Sequence, residues 1–448
     1  MPQDTSKRTV GTGHVELRDI EHIRVHYDEN LYLCATNRGG IWNFGDGELA
    51  VAYLAYPMDY KAELPAGLTR HVGGARAFRG RHERWGDQSG VMLSRSLDGG
   101  QTWPESERQW IWHNNRSVDE IIDWLRPMPA VKREQIDMGD PNAIIHFCHG
   151  EYLKHPIGDY PFEALGEAFN FHLGRRDHHV SLALRSADRG RTWESHASVI
   201  DGPQWAGKEA GMLTVNMGYV RFDNGVLGIA GGIYRRNIIS FYASYDNGAT
   251  WEYISDIART KHCEPGKGSR LLGWTYAGLH RLPDGRLMCS MHQSPPEMPC
   301  VTFSCDDGMT WSEIQYVCSP GTFCGSVTGP LSERALLDDT HGDSVRQRSP
   351  VAIVTSQGRI VVIYARRRPV RGARGIIGVV SDDLGATWSD EFVIRGDAYC
   401  WDLGYPVITE MPDGRLFAAY WFNTKESDQP IPEAQVVRYI AGTFFRLD

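Results

Sequence analysis

Apolar residues along this chain gather into short β-branched and aromatic runs, such as VSLALR before Ser186, IISFYA before Ser244 and GIIGVV before Ser381. Runs of this length and composition predict strands. Each is followed by a polar segment and then by another short strand, the pattern of a hairpin. The polar segments are copies of one motif. Ser-x-Asp-x-Gly-x-Thr-Trp occurs five times, at Ser96–Trp103, Ser186–Trp193, Ser244–Trp251, Ser304–Trp311 and Ser381–Trp388. Its residue types suit a turn: Asp bonds turn amides, Gly supplies a positive φ, Ser and Thr satisfy local backbone groups, and Trp plugs the apolar space beneath. A structural role for these boxes outweighs a catalytic one.

A second set of turns precedes the boxes, at Gly45-Asp46-Gly47, Asp223-Asn224-Gly225, Pro283-Asp284-Gly285, Gln357-Gly358 and Pro412-Asp413-Gly414, each flanked by apolar strands. These read as turns between the first and second strands of a four-stranded unit. Box spacings of 90, 58, 60 and 77 residues fit such units, with the longest insertion, about 104–175, in the second. The last unit, from Trp401, has a Pro-Asp-Gly turn and no box. A ring of sheets removes its exposed edges by building one sheet from both chain ends. If VVRYIAGTFFRL supplies the third strand of that sheet and HVELRDIEHIRVHYD the fourth, the two are not consecutive and need no turn. Five boxes then imply six sheets. The predicted fold is an all-β, six-bladed β-propeller with four antiparallel strands per blade, a single domain over residues 1–448 closed by N- and C-terminal strands in the last blade.

The repeated motif resembles the Asp box of the sialidase superfamily, whose propellers carry it between the third and fourth strands of a blade.

Composition narrows the function. A net charge of -9 opposes non-specific binding to nucleic acid or an anionic membrane. No stretch approaches the roughly 18 apolar residues of a membrane span, and the opening MPQDTSKRTVGTGHVELRD has no apolar core of a secretory leader. Nine cysteines, an odd number without a CxxC pair, signal neither a disulfide scaffold nor a zinc site. Free thiols in a cytoplasmic protein are expected, with no metal and no cofactor.

In a blade of alternating strands, the box turns and the first turns share one face. The opposite face is built from the starts of first strands, the loops joining second to third strands and the links between blades. Loops on a rigid scaffold are where such folds acquire sites. Blades one to three supply Arg38, Asp87, Asp177, His178 and Arg235 there, and blades four to six supply Trp274, Tyr276, Arg348, Arg374, Trp401, Asp402 and Tyr405. The planar fork of arginine pairs bidentately with carboxylates, so a crown of arginines in an acidic protein points to an anionic glycan, such as one bearing a sialic or uronic acid.

Sialidases hold the substrate carboxylate with three arginines and use an Asp acid/base and a Tyr nucleophile activated by a Glu. The resemblance implies that Arg38, in Asn-Arg-Gly-Gly-Ile, is the first arginine, Arg374 the third, and Asp87, nine residues before Ser96, the acid/base. Asp177 has the same offset from Ser186 and is an equal candidate. Where the family carries its second arginine, this chain reads Ser290-Met291-His292-Gln293, and the nucleophile motif Tyr-Ser-Asp-Leu appears as Cys400-Trp401-Asp402-Leu403.

Three functions fit. The first is an exo-acting, sialidase-like glycoside hydrolase for an acidic or unusual terminal sugar, with Arg38 and Arg374 as anchors, Asp87 or Asp177 as acid, and Trp274 and Trp401 stacking on sugar faces. The second is a uronate lyase, in which Tyr276 and His178 exchange protons while Arg235 neutralises the carboxylate. The third is a carbohydrate-binding propeller without catalysis. Catalytic candidates are thus Asp87, Asp177, His178, Tyr276 and Asp402, and substrate-binding candidates Arg38, Arg235, Arg348, Arg374, Trp274, Trp401 and Tyr405.

Overall fold

A computed structural model describes residues 14–36, 40–61, 90–113, 120, 123–124, 132–149, 181–200, 213–215, 218–233, 238–259, 273–294, 298–318, 346–367, 374–425 and 435–448. Their strands form six separate antiparallel sheets, the blades of a six-bladed β-propeller. Blade one runs Leu31–Cys34 and Gly40–Asn43 (together its first strand), Leu49–Pro57, Gly90–Ser96 and Arg108–His113. Blade two has Ile144–His149, Ser181–Ser186 and Ser198–Ile200 as its second to fourth strands. The segment 104–175 therefore also holds the fourth strand of blade one and the second strand of blade two. Blade three comprises Leu213–Thr214 with Val220–Arg221, then Leu227–Ile233, Ile238–Ser244 and Glu252–Arg259. Blades four and five run Gly273–Arg281, Leu287–Ser294, Met298–Ser304, Gln315–Tyr316 and Arg346–Val354, Ile360–Arg367, Gly375–Ser381, Phe392–Arg395.

Blade six is built from both chain ends. Its order is Gly404–Glu410, Leu416–Phe422, Tyr439–Leu447 and then Leu17–His26, with Leu17 opposite Leu447 and His26 opposite Ile440. The absent sixth box is explained by this closure, since nothing has to turn between strands from opposite termini.

All five boxes make one set of bonds. In blade one, Ser96 Oγ donates to Asp98 at 2.7 Å and accepts from the Gly100 amide at 2.9 Å, while Asp98 takes the Thr102 amide at 2.9 Å and its hydroxyl at 2.6 Å. The Thr-to-Asp hydroxyl bond is 2.6 Å in every copy. Each carboxylate is consumed by its own turn, so the boxes have no acid to lend to chemistry. The Gly99 amide donates to Gly47 O at 2.7 Å, which places a box turn and a first turn on the same face.

The box glycines also fit the blades together. Gly308 of blade four has φ +89°, and a Cβ there would lie 2.5 Å from the ring of Phe241 in blade three. Gly385 of blade five stands in the same relation to Phe303 of blade four, again at 2.5 Å. At the seam between blades one and six, Trp103 of the first box stacks on Phe417 with ring centroids 6.0 Å apart. Charged ties supplement the seams between blades one, two and three. Arg189 of the second box reaches Asp46 and Glu48 of blade one at 2.7 Å, and buried Arg185, paired with Glu194, donates to Asn247 O of the third box at 3.2 Å. Gly308→Ala is expected to cost about 2–4 kcal/mol, from left-handed strain plus overpacking of Phe241, read as a lower urea midpoint at an unchanged slope.

The closing strand carries a buried histidine. His26 is 4% exposed, its Nδ1 lies 2.7 Å from Tyr53 Oη, and that hydroxyl lies 2.6 Å from Ser94 Oγ. Burial is the main cause that lowers the His26 pKa to about 4, with Arg108 adding to it. An unfolded histidine titrates near ~6.5, so between these values the unfolded chain binds the extra proton. The stabilisation from keeping His26 neutral is complete above the unfolded value and is lost as the pH falls towards 4. Between pH 6.5 and 5 this amounts to about 2 kcal/mol. Urea unfolding at the two pH values should show His26→Gln losing less stability than the wild type by that margin.

Candidate functional site

The starts of the first strands of blades four, five and six share a backbone irregularity on the face away from the boxes. Strand register shifts between Thr275 and Gly278, between Arg348 and Val351, and between Gly404 and Val407. Inside the three breaks, Tyr276, Ser349 and Tyr405 adopt left-handed φ values of 57°, 59° and 49°. Such conformations cost about 1–3 kcal/mol each and persist where the surroundings hold them, often at functional sites. Tyr405 is held from blade one, where Thr36 Oγ1 donates to the Tyr405 carbonyl.

The bulges aim two phenols at one another. Tyr276 Oη and Tyr405 Oη lie 2.6 Å apart, within the range of an O–H···O hydrogen bond, and their ring centroids are 5.1 Å apart. Tyr405 is 9% exposed and packs edge-on against Trp421 at 5.2 Å, while the Tyr276 ring lies 5.8 Å from that of buried His292.

A guanidinium completes the cluster. Arg367 ends the second strand of blade five, and its carbon Cζ lies 5.2 Å from the Tyr405 ring, 5.3 Å from Trp421 and 5.9 Å from Trp401. Its Nε donates to Leu403 O at 2.7 Å, and its Nη2 has no hydrogen-bond partner among the described residues. Gly404 makes room for this, because a Cβ there would meet the Ala365 Cβ at 2.4 Å and Arg367 Nη2 at 3.6 Å. A cation against aromatic faces in a buried setting contributes on the order of 1–2 kcal/mol. It also favours negative charge on a neighbouring phenol oxygen.

The other described candidates fall around this centre with different tasks. Arg374 is buried and donates through Nη1 to Tyr399 O at 2.5 Å, so at least one of its nitrogens holds the loop before Tyr405. Trp401 is half-buried beside Arg367. Asp402 is turned inwards: its Oδ2 accepts from Tyr32 Oη at 3.0 Å and lies 3.3 Å from Nε of fully buried Arg438. Burial works against the Arg438 charge, yet Cys400 and Asp402 hold its pKa above the ordinary value. Asn423 fixes the same loop by donating to Asp402 O at 2.9 Å and accepting from the Cys400 amide at 2.7 Å. Asp402 thus works as part of a clamp on the segment leading to Tyr405.

Trp274 and Arg348 sit in first strands, opposite Gln293 and Ala365 respectively, with only their backbone described. Arg38, Asp87, Asp177, His178 and Arg235 lie outside the described residues. Reasoning from sequence singled out Tyr276 and Tyr405 but not their pairing, and it passed over Trp421 and Ser349 as site residues. One signal was available for three of these positions: Tyr276, Ser349 and Tyr405 each stand nine residues before the glycine of their own turn, Gly285, Gly358 and Gly414.

A family model described as a BNR repeat-like domain matches residues 168–418. The chain belongs to the BNR repeat-like domain family. Among solved structures, this BNR repeat-like chain is similar to a Dyadobacter fermentans protein of unknown function at 16% identity and TM-score 0.62, covering 97% of this chain and 99% of that one. It is similar to the NanB sialidase of Streptococcus pneumoniae at 14% identity and TM-score 0.54, covering 95% and 70%, and to a Hadza microbial sialidase at 16% and 0.51, covering 93% and 65%. These likenesses establish the sialidase-type propeller as the fold of the BNR repeat-like chain. No curated protein matches it by sequence.

A clamp role for Asp402 has a direct consequence. Removing one charge of a buried pair leaves the other uncompensated, so Asp402→Asn is expected to lower stability by about 3 kcal/mol in urea unfolding. Unchanged stability in that variant would return Asp402 to the list of candidate acids.

Proposed function

We propose that this protein is a sialidase-like glycoside hydrolase acting on an acidic terminal sugar, with Tyr405 as its nucleophile. The observation that carries the reading is the phenol pair at 2.6 Å beside the Arg367 guanidinium. Phenolate charge on Tyr405 would be stabilised by a hydrogen bond from Tyr276 Oη and by Arg367, two of the means by which a weak nucleophile is activated. In the reaction, Tyr405, its phenolic proton lost to solvent, bonds through Oη to the anomeric carbon as the glycosidic bond breaks. A carboxylic acid, Asp87 or Asp177, gives its proton to the leaving oxygen. Water, deprotonated by the same carboxylate, then displaces Tyr405 and releases the sugar. The rim arginines Arg38, Arg235, Arg348 and Arg374 are the groups suited to an anionic substituent.

A uronate lyase is the second reading, supported by the Tyr276 and His292 rings lying 5.8 Å apart, since a phenol and an imidazole are the group types such a lyase uses as acid and base. Product analysis on a panel of sialosides, uronosides and uronate polymers separates the readings. A hydrolase releases reducing sugar without a new far-ultraviolet chromophore, a lyase produces the unsaturated uronate, and a binding protein leaves all of them intact. On the hydrolase reading, Tyr405→Phe should lower kcat by about 10²–10⁴-fold with little change in fold, and Tyr276→Phe by a smaller factor. A Tyr405→Phe variant with wild-type turnover would overturn the assignment.

A further inference from the structure

Tyr276, Ser349 and Tyr405 occupy one repeat position, each nine residues before its turn glycine and each left-handed in a break of register. Blades of a propeller are related by rotation about the central axis, so equivalent side chains are directed towards a common place. Tyr276 and Tyr405 meet there at 2.6 Å although blade five stands between their blades. The first strand of blade five packs against the first strands of blades four and six. The residue at the same repeat position in blade five is a serine. Ser349 is fully buried, and its Oγ has no hydrogen-bond partner among the described residues.

We propose that Ser349 is a positioning residue for the phenol pair, its small side chain leaving open the space in which the hydroxyls of blades four and six meet across blade five. A branched side chain at 349 would fill that space and drive the phenols apart. The O–H···O contact between them weakens once the oxygens separate beyond about 3 Å. Alanine keeps the space open and removes a hydroxyl that bonds to nothing described, so volume and polarity can be separated by substitution. The effect on turnover rests on the reading of Tyr405 as the nucleophile. The effect on the phenol pair does not.

The test therefore follows the pair itself. The ionisation of Tyr405 is read as the phenolate absorbance lost in Tyr405→Phe, in the wild type and in Ser349→Ala, Ser349→Val and Ser349→Leu. Loss of the pair in Tyr276→Phe gives the reference shift. Ser349→Ala should titrate like the wild type, and Ser349→Leu should titrate like Tyr276→Phe, displaced by about one pH unit. If Ser349→Leu does not fold, Ser349→Val carries the comparison. Where turnover is measurable, kcat should fall about 30-fold in the Leu or Val variant with KM changed less than about threefold, and stay within about threefold in Ser349→Ala. A folded Leu or Val variant with wild-type Tyr405 titration overturns the proposal, as does an Ala variant that titrates like Tyr276→Phe. A protein without glycosidase activity but with these titration shifts would refute the nucleophile and leave the positioning role standing.

Discussion

Pairing between strands from the two chain ends is the interaction on which the ring depends. Leu17–His26 covers the outer edge of Tyr439–Leu447, and without it blade six would have only three strands and an open row of amides and carbonyls. The last blade must be complete for blade one to find a full partner. The first box glycine, Gly100, would place a Cβ 3.0 Å from Phe444 in the C-terminal strand, so the seam between first and last blades is packed in the same manner as those inside the chain. Six blades fixed in this way set the starts of the first strands around the axis. The phenol pair depends on that spacing, since its members come from blades that are not neighbours.

The two faces divide the labour. On the box face, each Asp is saturated by its own turn and the charged residues tie blade to blade, as Arg189 does with Asp46 and Glu48. On the other face, the strands bend at left-handed residues, and the loop from Tyr399 to Tyr405 is gripped by Arg367, Arg374, Asn423 and Arg438. Rigid support around a bent backbone keeps side-chain oxygens at fixed positions in the absence of a ligand.

The fold was legible because its signals are local. A turn that needs Asp, Gly, Thr and Trp within eight residues repeats visibly, and the single unit without a box marks the closing blade. The first turn of blade two was not, because Asp137–Asn142 closes with Asp140 bonded back to Asp137 and lacks the Asp-Gly, Asn-Gly or Gln-Gly pair of the others. At the site, legibility stopped where partners are distant in sequence. Asp402 reads as a rim carboxylate until Arg438 is seen to lie beside it, and Tyr276 and Tyr405 are 129 positions apart. In Arg366-Arg367, strand alternation separates two identical residues: Arg366 goes to Glu391 at 2.9 Å and Arg367 to the aromatic cluster. Composition marked both as cationic; only the pleat distinguishes their tasks.

Closure by the N-terminal strand also bears on how the protein comes to be made. Leu17–His26 is synthesised before the other described strands yet is placed last, because its partner Tyr439–Leu447 is made after all of them; contacts such as His22 to Thr443 join residues 421 positions apart. Until then five blades can assemble in order while Leu17–His26 waits, and the nascent chain exposes an unpaired edge at each end. Loop-closure entropy grows slowly with length, so the delay adds little to the final free energy, but it lengthens the time during which a second chain can offer the missing strand. Aggregation during synthesis, rather than weak equilibrium stability, is the vulnerability that this way of closing a ring leaves behind.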